Sequence, residues 1–124
     1  MATFDALVPL ALPFLASETI EVVQGASWEW DYDIAIDGDD PVDFTGCTGT
    51  CQVRSQGTDA LVVAPTVSFP ADGVVRCTVT PSVSDALTPG GYLHEVRVTN
   101  GAGRKVVIVG GGKSRFVILP KGIS

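Results

Sequence analysis

The chain has 124 residues, 45% of them hydrophobic and 18% charged, with 14 Gly and 8 Pro. That length fits one domain burying roughly two thirds of the surface its unfolded chain exposes, and the composition excludes disorder and favours strands and turns over helices. The net charge of −6 is divided into −10 over residues 1–53 and +4 over residues 54–124; an acidic chain without a basic, aromatic-studded stripe is not expected to bind nucleic acid. Pairing of acidic with basic strands inside one sheet is the expected use of this asymmetry, ahead of contact between oppositely charged subunits.

In chain order, the first feature is the run LVPLALPFLA at residues 7–16. No Lys or Arg precedes it, Asp5 stands where a leader peptide carries positive charge, and Pro9 and Pro13 break a helix, so no targeting segment is expected. No apolar run reaches the length of about 18 residues that a membrane span needs, and the chain is expected to be made in the cytoplasm. Phe4, Leu7, Val8, Leu10, Leu12, Phe14 and Leu15 are costly to leave exposed at about 25 cal/mol per Å². The two prolines exclude a central strand. Residues 1–17 are therefore predicted to be an extended arm that orders on a partner, the alternative being a cap on one end of its own domain.

Residues 18–120 carry the domain, and residues 121–124 form a short tail. In SWEWDYDIAI, Trp28, Trp30, Tyr32, Ile34 and Ile36 alternate with Glu29, Asp31 and Asp33, which predicts one half-buried strand. Asp37-Gly38 reads as a turn, and Pro41 is expected to end pairing on that side. The next strand runs from Cys47 to Arg54, with Cys47, Gly49, Cys51 and Val53 inward and Thr48, Thr50, Gln52 and Arg54 outward. Leu61–Val63, Val67–Phe69 and Val74–Val79 follow, with a turn at Asp72-Gly73. Ser82 is expected to cap one helical turn reaching Leu87. The strand Tyr92–Thr99, the turn at residues 100–103, the strand Lys105–Val109, three glycines and a last strand Arg115–Leu119 complete the chain. Seven to eight short strands at this spacing predict an all-β, immunoglobulin-like antiparallel sandwich with an extended N-terminal arm.

Candidate chemistry is sparse. Cys47 and Cys51 on one strand would stand about 13 Å apart, too far for a disulfide or a shared zinc. With Cys77 they are expected to be reduced thiols packed in the core, slow to react and without metal. The aspartates 37, 39, 40 and 43 lack the spacing of a calcium loop and read as turn formers. Gly112-Lys113-Ser114 imitates the end of a phosphate loop, but position 107 is Val where the first Gly is required. His94 is the single histidine, and no G-x-S-x-G elbow accompanies it. No catalytic residue, metal or cofactor is expected, and the chain is not expected to be an enzyme.

Two segments carry a resemblance: DFTGCTGTCQVRS at residues 43–55 and LTPGGYLHEVRVTNGAGR at residues 87–104. An aromatic strand leads through a turn to Asp43, Phe44, Thr45 and Gly46, then to a strand ending in Arg54; later Pro89, Gly90 and Tyr92 open a strand followed by a Gly-containing hairpin. In these features the chain resembles the small immunoglobulin-like domains of tailed-bacteriophage virions, such as the N-terminal domain of baseplate upper proteins and related head and tail accessory proteins. The resemblance implies a virion structural protein, a capsid decoration or cement protein or a minor tail or baseplate adaptor. It also implies other virion proteins as partners, many copies on the particle, and no catalytic residues. A carbohydrate- or receptor-binding module is the alternative, favoured if Trp28, Trp30 or Tyr92 is exposed in a line. The residues themselves predict that Gly46 adopts a backbone geometry other residues resist, that Phe44 seals the core edge, that Tyr92 bonds back across a corner, and that Arg54 meets Glu29, Asp31 or Asp33.

Overall fold

The structure is a computed structural model that describes residue 3 and residues 19–36, 40–109 and 114–121. The predicted arm, apart from Thr3, lies outside the described residues, as do Asp37, Gly38, Asp39 and the glycines 110–112. Strands β1 (Ile20–Val23), β2 (Trp28–Asp33), β3 (Ala35–Ile36), β4 (Asp40–Pro41), β5 (Thr48–Ser55), β6 (Leu61–Val63), β7 (Thr66–Ser68) and β8 (Val74–Val79) precede a short helix α1 (Pro81–Asp85). Strands β9 (Gly90–Thr99), β10 (Lys105–Val109) and β11 (Arg115–Leu119) follow it.

One sheet has the order β1-β11-β9-β5-β6, with β10 also bonded to β9; the other has the order β2-β8-β7, and β3 with β4 forms a separate short ribbon. Taking β2, β8 and β7 as strands B, E and D, and β5, β9 and the β10/β11 succession as C, F and G, this is the strand order of an immunoglobulin-type sandwich. The chain is therefore an all-β, immunoglobulin-like β-sandwich. Its last strand is divided, β10 lying on the C-terminal half of β9 and β11 on the N-terminal half. The ladder of β1 with β11 is parallel: the chain leaves β1 for the opposite sheet instead of folding back as a hairpin.

Alternation produces the core as expected. Trp28 and Tyr32 are buried while Glu29, Asp31 and Asp33 are exposed, and on β5 Cys51 and Val53 are fully buried while Thr48 and Thr50 are exposed. Two apolar clusters fill the sandwich, one around Tyr32, Val75, Val96 and Ile108, the other around Trp28, Val53, Phe116 and Ile118. Phe116 is buried completely and its ring lies 5.6 Å from Trp28, 5.3 Å from Trp30 and 5.7 Å from His94.

Four expectations are corrected. The strand predicted from Trp28 to Ile36 breaks at Ile34: its N–H still bonds Gly73 O at 2.6 Å in the β2–β8 register, but its carbonyl accepts from Val42 N–H and Gly73 N–H turns to Val42 O. Pro41 does not end pairing: it stands opposite Ala35, and Val42 N–H bonds Ile34 O at 3.1 Å, an edge ribbon being one place where a missing N–H is tolerated. The strand predicted at Val67–Phe69 runs one residue earlier, Thr66–Ser68. Ser82 lies inside α1, whose N-cap is Thr80 with Pro81 in the first turn; proline's fixed φ suits that position.

Candidate functional site

The residues that carried the resemblance occupy framework positions. The Asp43 carboxylate accepts bonds from the Thr45 hydroxyl at 2.6 Å and backbone N–H at 2.9 Å, an Asx-type turn that holds its carboxyl below the usual range. Gly46 follows at φ +77°, a left-handed conformation that costs other residues about 1–2 kcal/mol. Phe44 is buried and packs on Phe69 with ring centroids 5.0 Å apart. Beyond Pro89 and Gly90, the Tyr92 hydroxyl donates to Thr88 O at 2.5 Å, the tyrosine corner at the head of strand F.

Arg54 does not meet the β2 acids. Its guanidinium donates to Gln52 Oε1 at 2.6 Å and to Asp59 O at 2.9 Å, fastening the β5–β6 connection. The physical reason is sheet membership: β5 pairs with β9 and β6, whereas β2 pairs with β8. The acids of β2 are met instead by Arg76 of β8, bonded to Asp31 at 2.8 and 3.0 Å and standing 3.8 Å from Glu29. The hydrogen bond from Arg76 lowers the Asp31 carboxyl's pKa. Acidic-with-basic pairing inside one sheet thus occurs, with a different base from the one expected.

A buried polar chain links the two sheets. His94 on β9 is 3% exposed; its Nδ1 lies 3.0 Å from Ser114 O and its Nε2 2.6 Å from the Tyr32 hydroxyl. A carbonyl only accepts, so Nδ1 carries the proton and Nε2 accepts from Tyr32; Tyr32 in turn receives the Trp30 indole N–H at 3.2 Å. The Ser114 hydroxyl is buried without a bonding partner. Alternation along residues 28–36 put Tyr32 on the apolar face, which was the available signal, but no pattern in the sequence joins residues 32, 94 and 114. Burial lowers the His94 pKa, and the bond to Ser114 O opposes this in part. The unfolded chain therefore takes up a proton first as pH falls below about 6.5, and stability present above that value is lost toward the native pKa, by at most about 1.4 kcal/mol per pH unit. Urea midpoints are expected to fall from pH 7 to pH 5 in the wild type and to stay flat over that window in His94→Gln, His94 being the single histidine.

The outer face of the larger sheet carries a shallow groove of about 150 Å³ lined by Thr50, Gln52, Glu95, Arg97, Thr99 and Lys105. Arg97 is ion-paired with Glu95, so this groove has no concentrated charge of either sign and no aromatic wall. Trp28 and Tyr32 are buried and Trp30 and Tyr92 half-buried, so these aromatics form no exposed line. No group of three metal-ligating side chains occurs among the described residues, and no helix there is long and apolar enough to cross a membrane. Cys51 and Cys77 are buried and Cys47 half-buried, all as free thiols; burial raises the Cys47 pKa, with Asp43 adding to it.

In the smaller sheet β8 lies between β2 and β7 and pairs with both. The large apolar side chains most exposed are Val23, Leu61 and Leu119 of the larger sheet and Val83 of α1, with Val23 directly opposite Leu119 in the β1–β11 ladder.

No known family's sequence model and no curated protein matches the chain. Among solved structures it is similar to CopC from Methylosinus trichosporium OB3b, at 20% identity and a TM-score of 0.49 over 90% of this chain and 97% of that one. It is also similar to the ZIG-8–RIG-5 immunoglobulin-domain heterodimer, at 11% identity and a TM-score of 0.37 over 93% of this chain and 96% of that one. A protein of Bacteroides vulgatus ATCC 8482 described as a glycoside hydrolase matches at 16% identity and a TM-score of 0.45 over 86% of this chain, which spans 17% of that protein's length. The fold assignment rests on strand order and pairing, and no ligand or activity is carried over from these likenesses.

Proposed function

We propose that the chain is a structural module of a tailed-bacteriophage particle, an accessory protein that decorates or cements the capsid or adapts one ring of the tail or baseplate to the next, acting by protein–protein docking. The observation that supports this reading is the framework by which residues 43–55 and 87–104 resemble that family: the Asp43–Thr45 turn with Gly46 at positive φ, and the Tyr92 corner. An extended, apolar, proline-punctuated arm suits a groove on another subunit, since its prolines exclude a central strand. In this reading the arm at residues 1–17 of one copy lies along a neighbouring subunit of the particle, its apolar side chains Phe4, Leu7, Val8, Leu10, Leu12, Phe14 and Leu15 supplying the buried area. The partners are other virion proteins present in many copies, with no nucleic acid and no membrane involved. The motif resemblance in residues 43–55 and 87–104 supports the particle context. The carbohydrate- or receptor-binding alternative lacks the exposed aromatic line that would favour it.

Deletion of residues 2–16 tests the arm. The truncated protein is expected to melt within a few degrees of the full chain and to fail to enter particles in a complementation assay. A melting point lowered by ten degrees or more in the isolated protein would place the arm in its own domain and overturn the docking role assigned to it.

A further inference from the structure

The two buried thiols stand in different sheets. Cys51 lies on β5 opposite Val96 of β9, and Cys77 lies on β8 between Trp30 of β2 and Val67 of β7. Both are fully buried in one apolar cluster, and Cys77 is close enough to Cys51 to raise its pKa. Facing sheets ordinarily pack about 10 Å apart, whereas a disulfide needs Cα atoms within about 7 Å. The sheets approach closely at this point: a Cβ built on Gly49, two residues before Cys51 on the same face, would lie 2.3 Å from a methyl of Val67, the residue paired with Cys77. Glycine at 49 thus leaves room for the opposing strand beside the two sulfurs.

We propose that Cys51 and Cys77 are an inter-sheet disulfide site, closed by exchange with a disulfide oxidant such as oxidised glutathione. It joins strands C and E, a different pair from the B and F strands bridged in antibody domains. One protein thiolate attacks the glutathione disulfide and expels a glutathione thiolate, leaving a mixed disulfide. The second protein thiolate attacks the protein-side sulfur and expels the second glutathione. The protein loses two protons and two electrons, and the oxidant becomes two molecules of glutathione. The neighbouring Cys77 thiol together with burial disfavours the Cys51 thiolate, so closure in the native protein is slow and proceeds through local opening. Cys47, at the mouth of β5, remains a thiol. The inference is independent of the particle reading.

The test uses the full chain with Cys47→Ser, so that two cysteines remain, refolded from the reduced, unfolded state in a glutathione redox buffer so that burial does not block the reagent. Intact mass is expected to fall by two hydrogens, with no dimer and no retained glutathione. Trypsin is expected to release residues 77–97 joined to the peptide ending at Arg54, because no Lys or Arg precedes position 54. Closing a loop of about 25 residues is expected to raise the melting point by roughly 5–15 °C, reversed by reductant. Two titratable thiols per chain after refolding, a product halted at the glutathione adduct, or a bridge found only between chains would each overturn the proposal.

Discussion

Phe116→Ala is expected to be the most damaging single substitution, lowering stability by about 3–5 kcal/mol and the melting point by well over ten degrees. Phe116 is fully buried on β11 and its ring is in contact range of Trp28 and Trp30 from the opposite sheet and of His94 from its own. Three flat, rigid rings cannot collapse into the space a benzyl group leaves, so the cavity cost is added to the lost burial. The substitution also removes the apolar surround of the Tyr32–His94 bond. Urea unfolding at pH 7 measures it; a loss under about 1.5 kcal/mol would show that the two sheets do not close over this side chain.

Gly73→Ala is expected to cost about 3 kcal/mol, although the added methyl is small. Gly73 has φ +71°, which alone costs a residue with a Cβ about 1 kcal/mol or more. The new Cβ would stand 2.8 Å from Ile34 O and 2.8 Å from the Pro41 Cβ, and overpacking of this kind costs about 1–3 kcal/mol. Neither neighbour is a flexible side-chain tip, and both belong to the corner that Gly73 stitches together: its N–H bonds Val42 O at 2.8 Å and its carbonyl receives Ile34 N–H at 2.6 Å. Chemical denaturation of the variant measures the cost. A variant as stable as wild type would mean that this corner yields readily.

Period-two alternation made the strands legible, because each half-buried strand writes its own face pattern: β2, β5 and β8 all obey it. Turn chemistry made the Asp43–Gly46 bend and the Tyr92 corner legible, since those bonds are local, spanning two and four residues. Relations across the sandwich were not legible. Which base meets Asp31 depends on sheet membership, and alternation cannot distinguish a neighbour in the same sheet from a strand in the facing one; hence Arg76 and not Arg54. The Cys51–Cys77 contact and the Tyr32–His94–Ser114 chain were hidden for the same reason. Strand spacing separates Cys47 from Cys51 but carries no sign of which inward thiol faces which. The break at Ile34 was hidden by a side-chain pattern that continues while the backbone bonds change partner.

The proposed role in a virion is tested most directly by quantitative mass spectrometry of density-gradient-purified, salt-washed phage particles released from cells that carry the gene. The account predicts the protein in those particles at many copies each, in fixed ratio to a major capsid or tail protein. Its absence from intact particles, with the protein confined to the soluble lysate, would contradict it.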